Sequence, residues 1–200
     1  MNTPRILFFG TPEFATSPLE ALLKNNFSVV AAITAPDAPA GRGLTLQAPP
    51  VKKIALNHNI PIFQPQKLIE SEWTKNVPDA DCAVIASYTK IIPRWLLQRF
   101  PHGIINIHPS LLPKFRGPAP VPASILAGES TTGVTLILTD EELDHGPILA
   151  VREFTTHPTD TSETLLKKLF SLGGELLVET LPKWLASEIT PTEQNHSKAT

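Results

Sequence analysis

An α/β domain built on an open, mostly parallel sheet is the architecture the sequence predicts, and three observations predict it. The chain opens on an apolar run, Arg5 to Gly10, that turns through Thr11-Pro12-Glu13 into a helical pattern. Two later runs, Ala80 to Tyr88 and Ile104 to Ile107, are mostly apolar on successive residues, the second interrupted by Asn106, as strands covered by helices on both faces are. Near the C-terminus two strand-like segments flank a short acidic turn, the pattern of an antiparallel hairpin.

Taken in order, residues 5–10 read as a buried first strand ended by Gly10. Thr11 is placed to cap the next helix, with Pro12 at its first position and the acid Glu13 in its first turn. Leu19, Leu22 and Leu23 give that helix its apolar stripe. This strand–turn–helix is the usual start of a Rossmann-like fold, but the turn holds a single glycine rather than G-x-G-x-x-G, which argues against a dinucleotide cofactor. Ser28 to Thr34 is the second strand. Ala35 to Pro50 reads as a long Pro- and Gly-rich loop without secondary structure of its own, usually a functional or mobile feature; a plain solvent loop is the alternative. Val51 to Asn57 reads as a helix, Ile60 to Phe63 as a short strand, Ser71 to Asn76 as a helix, Ala80 to Tyr88 as a strong buried strand and Pro93 to Phe100 as a helix. Farther on come a helix over Pro122 to Ala127, a strand over Thr132 to Thr139, the turn Asp140 to Pro147 and a returning strand, Ile148 to Phe154. Thr161 to Ser187 is a long packing helix with a break at Gly173-Gly174, and Thr190 to Thr200 is polar and unpatterned.

Two hundred residues fit one large domain, or one domain with a tail. The net charge of −2 gives no overall basic field for nucleic acid, so any such contact must come from a local patch. A single cysteine, Cys82, excludes an internal disulfide and a thiolate metal cluster and suits a reducing cytoplasm. Its apolar neighbours mark it as a buried structural thiol. No apolar run approaches the ~20 residues of a membrane helix, and the N-terminus does not read as a signal peptide.

The most informative stretch is Gly103 to Gly117, GIINIHPSLLPKFRG. Side chains alternate along a strand, so Asn106 and His108 share one face and project together at its carboxyl end, where open α/β sheets place their ligands. A core Asn and His satisfied by backbone groups is the plain alternative. Four acids and a histidine crowd the turn Asp140 to Pro147. A metal site there is disfavoured because calcium-loop spacing is missing. Glu141 and Glu142 read as solvated, whereas Asp144, in Asp-His-Gly, could fold back onto the imidazole of His108.

Asn106-x-His108 followed by Ser110-Leu111-Leu112-Pro113 and Arg116-Gly117 resembles the signature of the folate-dependent formyltransferases. Gly10-Thr11-Pro12-Glu13-Phe14-Ala15 and the loop pattern over 36–43 are similar to the methionyl-tRNA branch of that family. The resemblance spans nearly the whole chain and implies a formyltransferase fold, with residues 1–188 as the catalytic domain. Residues 189–200 then form a linker-like tail toward a C-terminal tRNA-binding domain that the 200 residues do not include. It implies Asn106, His108 and Asp144 as catalytic residues and 10-formyltetrahydrofolate as formyl donor, with no metal. Tyr88, Thr89, Lys90, Ile91 and Ile92, with Ser110, Leu111, Leu112 and Pro113, would shape the donor pocket. It further implies initiator methionyl-tRNA as partner, with Arg42 as the basic contact, a role in translation initiation, and a cytoplasmic monomer that meets no membrane. Leu44 and Thr45 stand where lysines commonly follow in that branch, and Lys90 looks more like the glycinamide ribonucleotide branch. Transfer to a small amine such as glycinamide ribonucleotide or an amino-sugar nucleotide, and a non-catalytic binding fragment, are the competing readings.

Overall fold

The computed structural model describes residues 3–40 and 44–200. Its main sheet has seven strands: β1 (Arg5–Gly10), β2 (Ser28–Ile33), β5 (Ile62–Phe63), β6 (Cys82–Ala86), β7 (Ile104–His108), β8 (Thr131–Leu138) and β9 (Ile148–Thr155). The spatial order is β5-β2-β1-β6-β7-β8-β9. The first five are parallel, and β8 and β9 close the far edge antiparallel. The predicted Rossmann-like sheet with its C-terminal hairpin is therefore present. The strand order reverses between β1 and β6, so their carboxyl ends open a crevice at the switch point.

Sequence explains the layers. Ile6 to Phe9 have no solvent exposure because alternate residues of β1 face two separate cores. Ile6 and Phe8 meet α1 (Thr16–Lys24), α2 (Pro50–Asn57) and α6 (Ser162–Leu185), whereas Leu7 and Phe9 meet α3 (Glu70–Asn76) and α4 (Arg94–Leu97). Each such fully buried large side chain contributes about 1.5–3 kcal/mol relative to exposure. A short helix, α5 (Pro120–Leu126), packs on α6 through Val121. Cys82 is buried in the first core, and burial, with the nearby Asp81 charge, pushes its thiol up to about 12, so it stays a neutral packing group. The 24-residue α6 is amphipathic, and among the described residues no helix is long and apolar enough to cross a membrane.

Several local expectations are corrected. Thr11 does not cap a helix: its hydroxyl accepts from the Ala35 N–H at 3.3 Å, tying the first turn to the end of β2. Pro12 instead precedes a short 3₁₀ turn, Glu13–Ala15, that leads into α1. Residues 35–50 are not structureless, since β3 (Ala38–Ala40) and β4 (Thr45–Gln47) form an antiparallel pair. Ser87 takes a positive φ of 51° and ends β6, so Tyr88 lies beyond the strand. The helix expected over 93–100 holds only Arg94–Leu97. Helix α6 runs unbroken through Gly173-Gly174. A Cβ on Gly173 would sit 2.5 Å from Ile107 Cγ2, and one on Gly174 would sit 3.1 Å from Pro18 Cα. The two glycines let α6 press against β7 and α1 rather than breaking the helix.

Candidate active site

The site begins with the register of β7. Ile105 and Ile107 point into one core, so Asn106 and His108 point to the other side, with Asn106 beside Ile85 of β6 and His108 beside Thr135 of β8. The turn after β8 then brings Asp144 back over this face. Asp144 holds a positive φ of 49°, a conformation an Asp tolerates better than most residues. The bend is tight, because a Cβ on Gly146 would lie 1.8 Å from the Leu138 carbonyl oxygen.

Asn106, His108 and Asp144 converge. Asn106 Nδ2 donates to Asp144 Oδ1 at 3.1 Å, and the Gly117 N–H donates to Asp144 Oδ2 at 2.8 Å. His108 Nδ1 stands 3.4 Å from Asp144 Oδ1, with both side chains almost wholly buried. The other ring nitrogen, Nε2, is 2.9 Å from the Phe115 carbonyl oxygen, which can only accept, so Nε2 carries a proton. Burial pushes the Asp144 carboxyl up, but the hydrogen bond and charge of His108, the Gly117 N–H and the Arg116 charge outweigh it and hold the group below its ordinary value.

The remaining predicted residues flank this cluster on two sides. Tyr88 to Ile92 follow β6. Ile91 is 92% exposed there. The Tyr88 hydroxyl is buried without a partner among the described residues, and burial pushes it up to about 12. Lys90 is not a loose cation: its Nζ donates to the Gln66 carbonyl at 2.9 Å. Ser110 to Pro113 pack on β8 instead. Thr135 Oγ1 donates to the Ser110 carbonyl at 2.7 Å and accepts from the Leu112 N–H at 3.2 Å. Ser110 Oγ donates to the Lys114 carbonyl at 2.7 Å, which leaves it a loop-shaping role. Leu111 and Pro113 line a cavity of about 530 Å³ with Lys114, Phe115, Glu129, Thr131, Thr132 and Lys198, a set without Asn106, His108 or Asp144. Arg42 lies outside the described residues.

The acids of the 140–147 turn disperse. Asp140 pairs with His145 Nδ1 at 2.7 Å, Glu141 reaches Arg94 at 3.1 Å, and Asp144 turns inward. Among the described residues no three His, Cys, Asp or Glu side chains gather closely enough to hold a metal ion.

One contributor is missing from the sequence reading. The tail packs on the site: Thr192 bridges to Ile148, His196 stacks on His145 with ring centres 4.1 Å apart, and Gln194 is 4% exposed. Gln194 joins Arg116 to the main chain of the 144–146 turn. Polar residues without periodicity give no core signal, so nothing in this segment marked Gln194 in advance.

The sequence signature of the formyl transferase family matches residues 4–181. Methionyl-tRNA formyltransferase of Myxococcus xanthus is 45% identical over 196 residues, which are 97% of this chain and 62% of that protein; the chain thus spans less than two thirds of that relative's length. Phosphoribosylglycinamide formyltransferase from Bacillus halodurans superposes with a TM-score of 0.73 at 26% identity, covering 92% of this chain and 96% of that one. The N-formyltransferase from Helicobacter canadensis, solved with folinic acid and dTDP-3-aminofucose, shares the fold with a TM-score of 0.75 at 22% identity, over 100% of this chain and 70% of that one.

Proposed function

The chain belongs to the formyl transferase family, and on that footing we propose that it moves the formyl group of 10-formyltetrahydrofolate to the free amino group of methionyl-tRNA for translation initiation. The observation that carries the chemistry is the convergence of Asn106, His108 and Asp144 at the carboxyl end of β7. The identity to the Myxococcus xanthus protein supports the acceptor. The donor supplies the formyl carbon. The segment after β6 offers the donor an apolar surface, because Ile91 is exposed there.

This chain's residues have three tasks. Asn106 is only partly buried and uses one amide hydrogen on Asp144, so its second can reach the formyl oxygen as negative charge gathers there. His108 presents its Nε2–H to the same oxygen when that oxygen replaces the Phe115 carbonyl, which belongs to a residue held at a φ of +59°. Donors of this kind are worth about 3–4 kcal/mol each in the transition state. Asp144 holds the ring from its Nδ1 side. The new bond runs from the acceptor nitrogen to the formyl carbon, and the bond that breaks joins that carbon to the folate nitrogen. One proton passes from the amine to the leaving nitrogen, through water or the His108–Asp144 pair. No covalent enzyme intermediate is needed.

Transfer to a small amine is the second reading, favoured by the 96% coverage of the phosphoribosylglycinamide enzyme. The test is formyl transfer measured side by side on methionyl-tRNA, glycinamide ribonucleotide and an amino-sugar nucleotide. Turnover on methionyl-tRNA above either small amine supports the proposal. Turnover confined to a small amine assigns the chain to the second reading.

A further inference from the structure

We propose that Gln194, outside the segment that carries the family signature, is a positioning residue that fixes Asp144 for the reaction. This rests on the formyl-transfer reading of the same site. The side chain uses all four of its hydrogen-bonding capacities. Nε2 donates to the main-chain carbonyls of Asp144 at 2.9 Å and Gly146 at 2.8 Å, while Oε1 accepts from Arg116 Nε at 3.2 Å and Nη2 at 2.7 Å. The orientation is forced by chemistry. Flipping the amide would set an N–H against the guanidinium and an oxygen against two carbonyls.

The placement matters because the two segments joined by Gln194 are the two that define Asp144. One is the 144–146 turn, with Asp144 in the left-handed region at a φ of 49°. The other carries Arg116 and, next to it, the Gly117 N–H that donates to Asp144 Oδ2. Bonds to both carbonyls, the one to Gly146 buried, oppose relaxation of the turn to a commoner conformation, which would swing the carboxylate away from Asn106 and His108. The bond to Arg116 holds a positive charge near the same carboxylate. Arg116 Nη2 also reaches His196 Nδ1 at 2.8 Å, and His196 stacks on His145. A tether for the tail alone would not need donors aimed at the Asp144 turn, because Thr192 already pairs with Ile148 through bonds of 2.7 and 2.8 Å.

Two variants separate positioning from tethering. Gln194→Ala removes every bond. Gln194→Glu keeps the length and the Arg116 partner but cannot donate to the two carbonyls when ionised. The readouts are kcat and donor KM for formyl transfer, the pH profile of kcat, and amide hydrogen exchange at Gly117 in the full 200-residue chain. Both variants should lose about 10- to 100-fold in kcat, keep the donor KM within about twofold and exchange the Gly117 amide faster. The acid limb of the profile should move to higher pH as Asp144 loses its partners. Gln194→Glu with wild-type kcat, or unchanged Gly117 exchange in both variants, overturns the proposal. A wild-type chain that formylates no amine defeats the formyl-transfer reading instead, and the Gly117 exchange then decides the positioning role alone. Should Gln194→Ala fail to fold, Gln194→Glu carries the comparison.

Discussion

Replacing Asp144 by Asn tests the charge at the centre of the cluster while keeping its shape. Asp144 Oδ1 takes Asn106 Nδ2 at 3.1 Å and faces His108 Nδ1 at 3.4 Å, and Oδ2 takes the Gly117 N–H at 2.8 Å. Asn106 Nδ2 and the Gly117 N–H are both donors, one to each carboxylate oxygen. An amide offers them one acceptor, so its own NH₂ must face a donor on one side. A buried hydrogen bond to a charged acceptor is worth about 1.5–3 kcal/mol, and stranding a donor costs a further amount of about 1–3 kcal/mol. A stability loss of about 2–4 kcal/mol at pH 7 follows. If the same loss falls on the transition state, turnover drops about 30- to 900-fold. The pH dependence has a definite sign. Burial raises the Asp144 carboxyl, but His108, the Gly117 N–H and Arg116 bring it below its ordinary value. Its stabilising contribution is thus complete above the unfolded value of about 3.9 and disappears as the pH falls through the folded one. Denaturant unfolding of wild type and Asp144→Asn at pH 7 and pH 3, with kcat at pH 7, measures both effects. Unchanged turnover, or a stability gap that stays the same at pH 3, refutes the reasoning.

Gly173→Ala should destabilise the chain although it improves helix propensity. The gain is about 1 kcal/mol, whereas forcing a methyl to 2.5 Å from Ile107 Cγ2 overpacks the core at a cost of about 1–3 kcal/mol; a higher midpoint in thermal unfolding would show that the close approach is unimportant. Arg42→Ala should lower the salt slope of tRNA binding by about one and leave transfer to a small amine unchanged, which a salt titration of binding checks. Lys52→Met should leave that slope alone, because Lys52 Nζ already bonds both Asp37 carboxylate oxygens at 2.8 and 2.7 Å and Gln64 Oε1 at 2.9 Å. Its effect should appear in unfolding, as a lower denaturation midpoint.

The parts of the fold that depend on burial were legible in the sequence. Ile6 to Phe9 are apolar at every position, and Ile104, Ile105 and Ile107 are apolar around Asn106, as strands of a sheet covered on both faces are. The shared face of Asn106 and His108 follows from alternation alone, and Asp144 could be placed because its turn is short. Features set by tertiary contact were hidden. Gly173-Gly174 suggests a helix break on propensity, yet the absence of side chains is what lets α6 approach β7. Thr11 has the composition of a cap, but the Ala35 N–H takes its oxygen. The β3–β4 pair has only three residues in each strand, too few for alternation to announce it. The contact between His108 Nε2 and the Phe115 carbonyl depends on a left-handed residue that is not a glycine, which composition does not signal. Gln194 acts through four hydrogen bonds to groups at least 48 residues away, and no local pattern reports such a bond.

The most direct measurement for the account as a whole is formyl transfer from 10-formyltetrahydrofolate to methionyl-tRNA by wild type and His108→Ala, compared at equal folded concentration. The wild type should turn over, and the variant should lose about 10²-fold or more with its unfolding transition still cooperative. Near-normal turnover by His108→Ala would contradict it, because the Asn106–His108–Asp144 cluster could then not be the site of the chemistry.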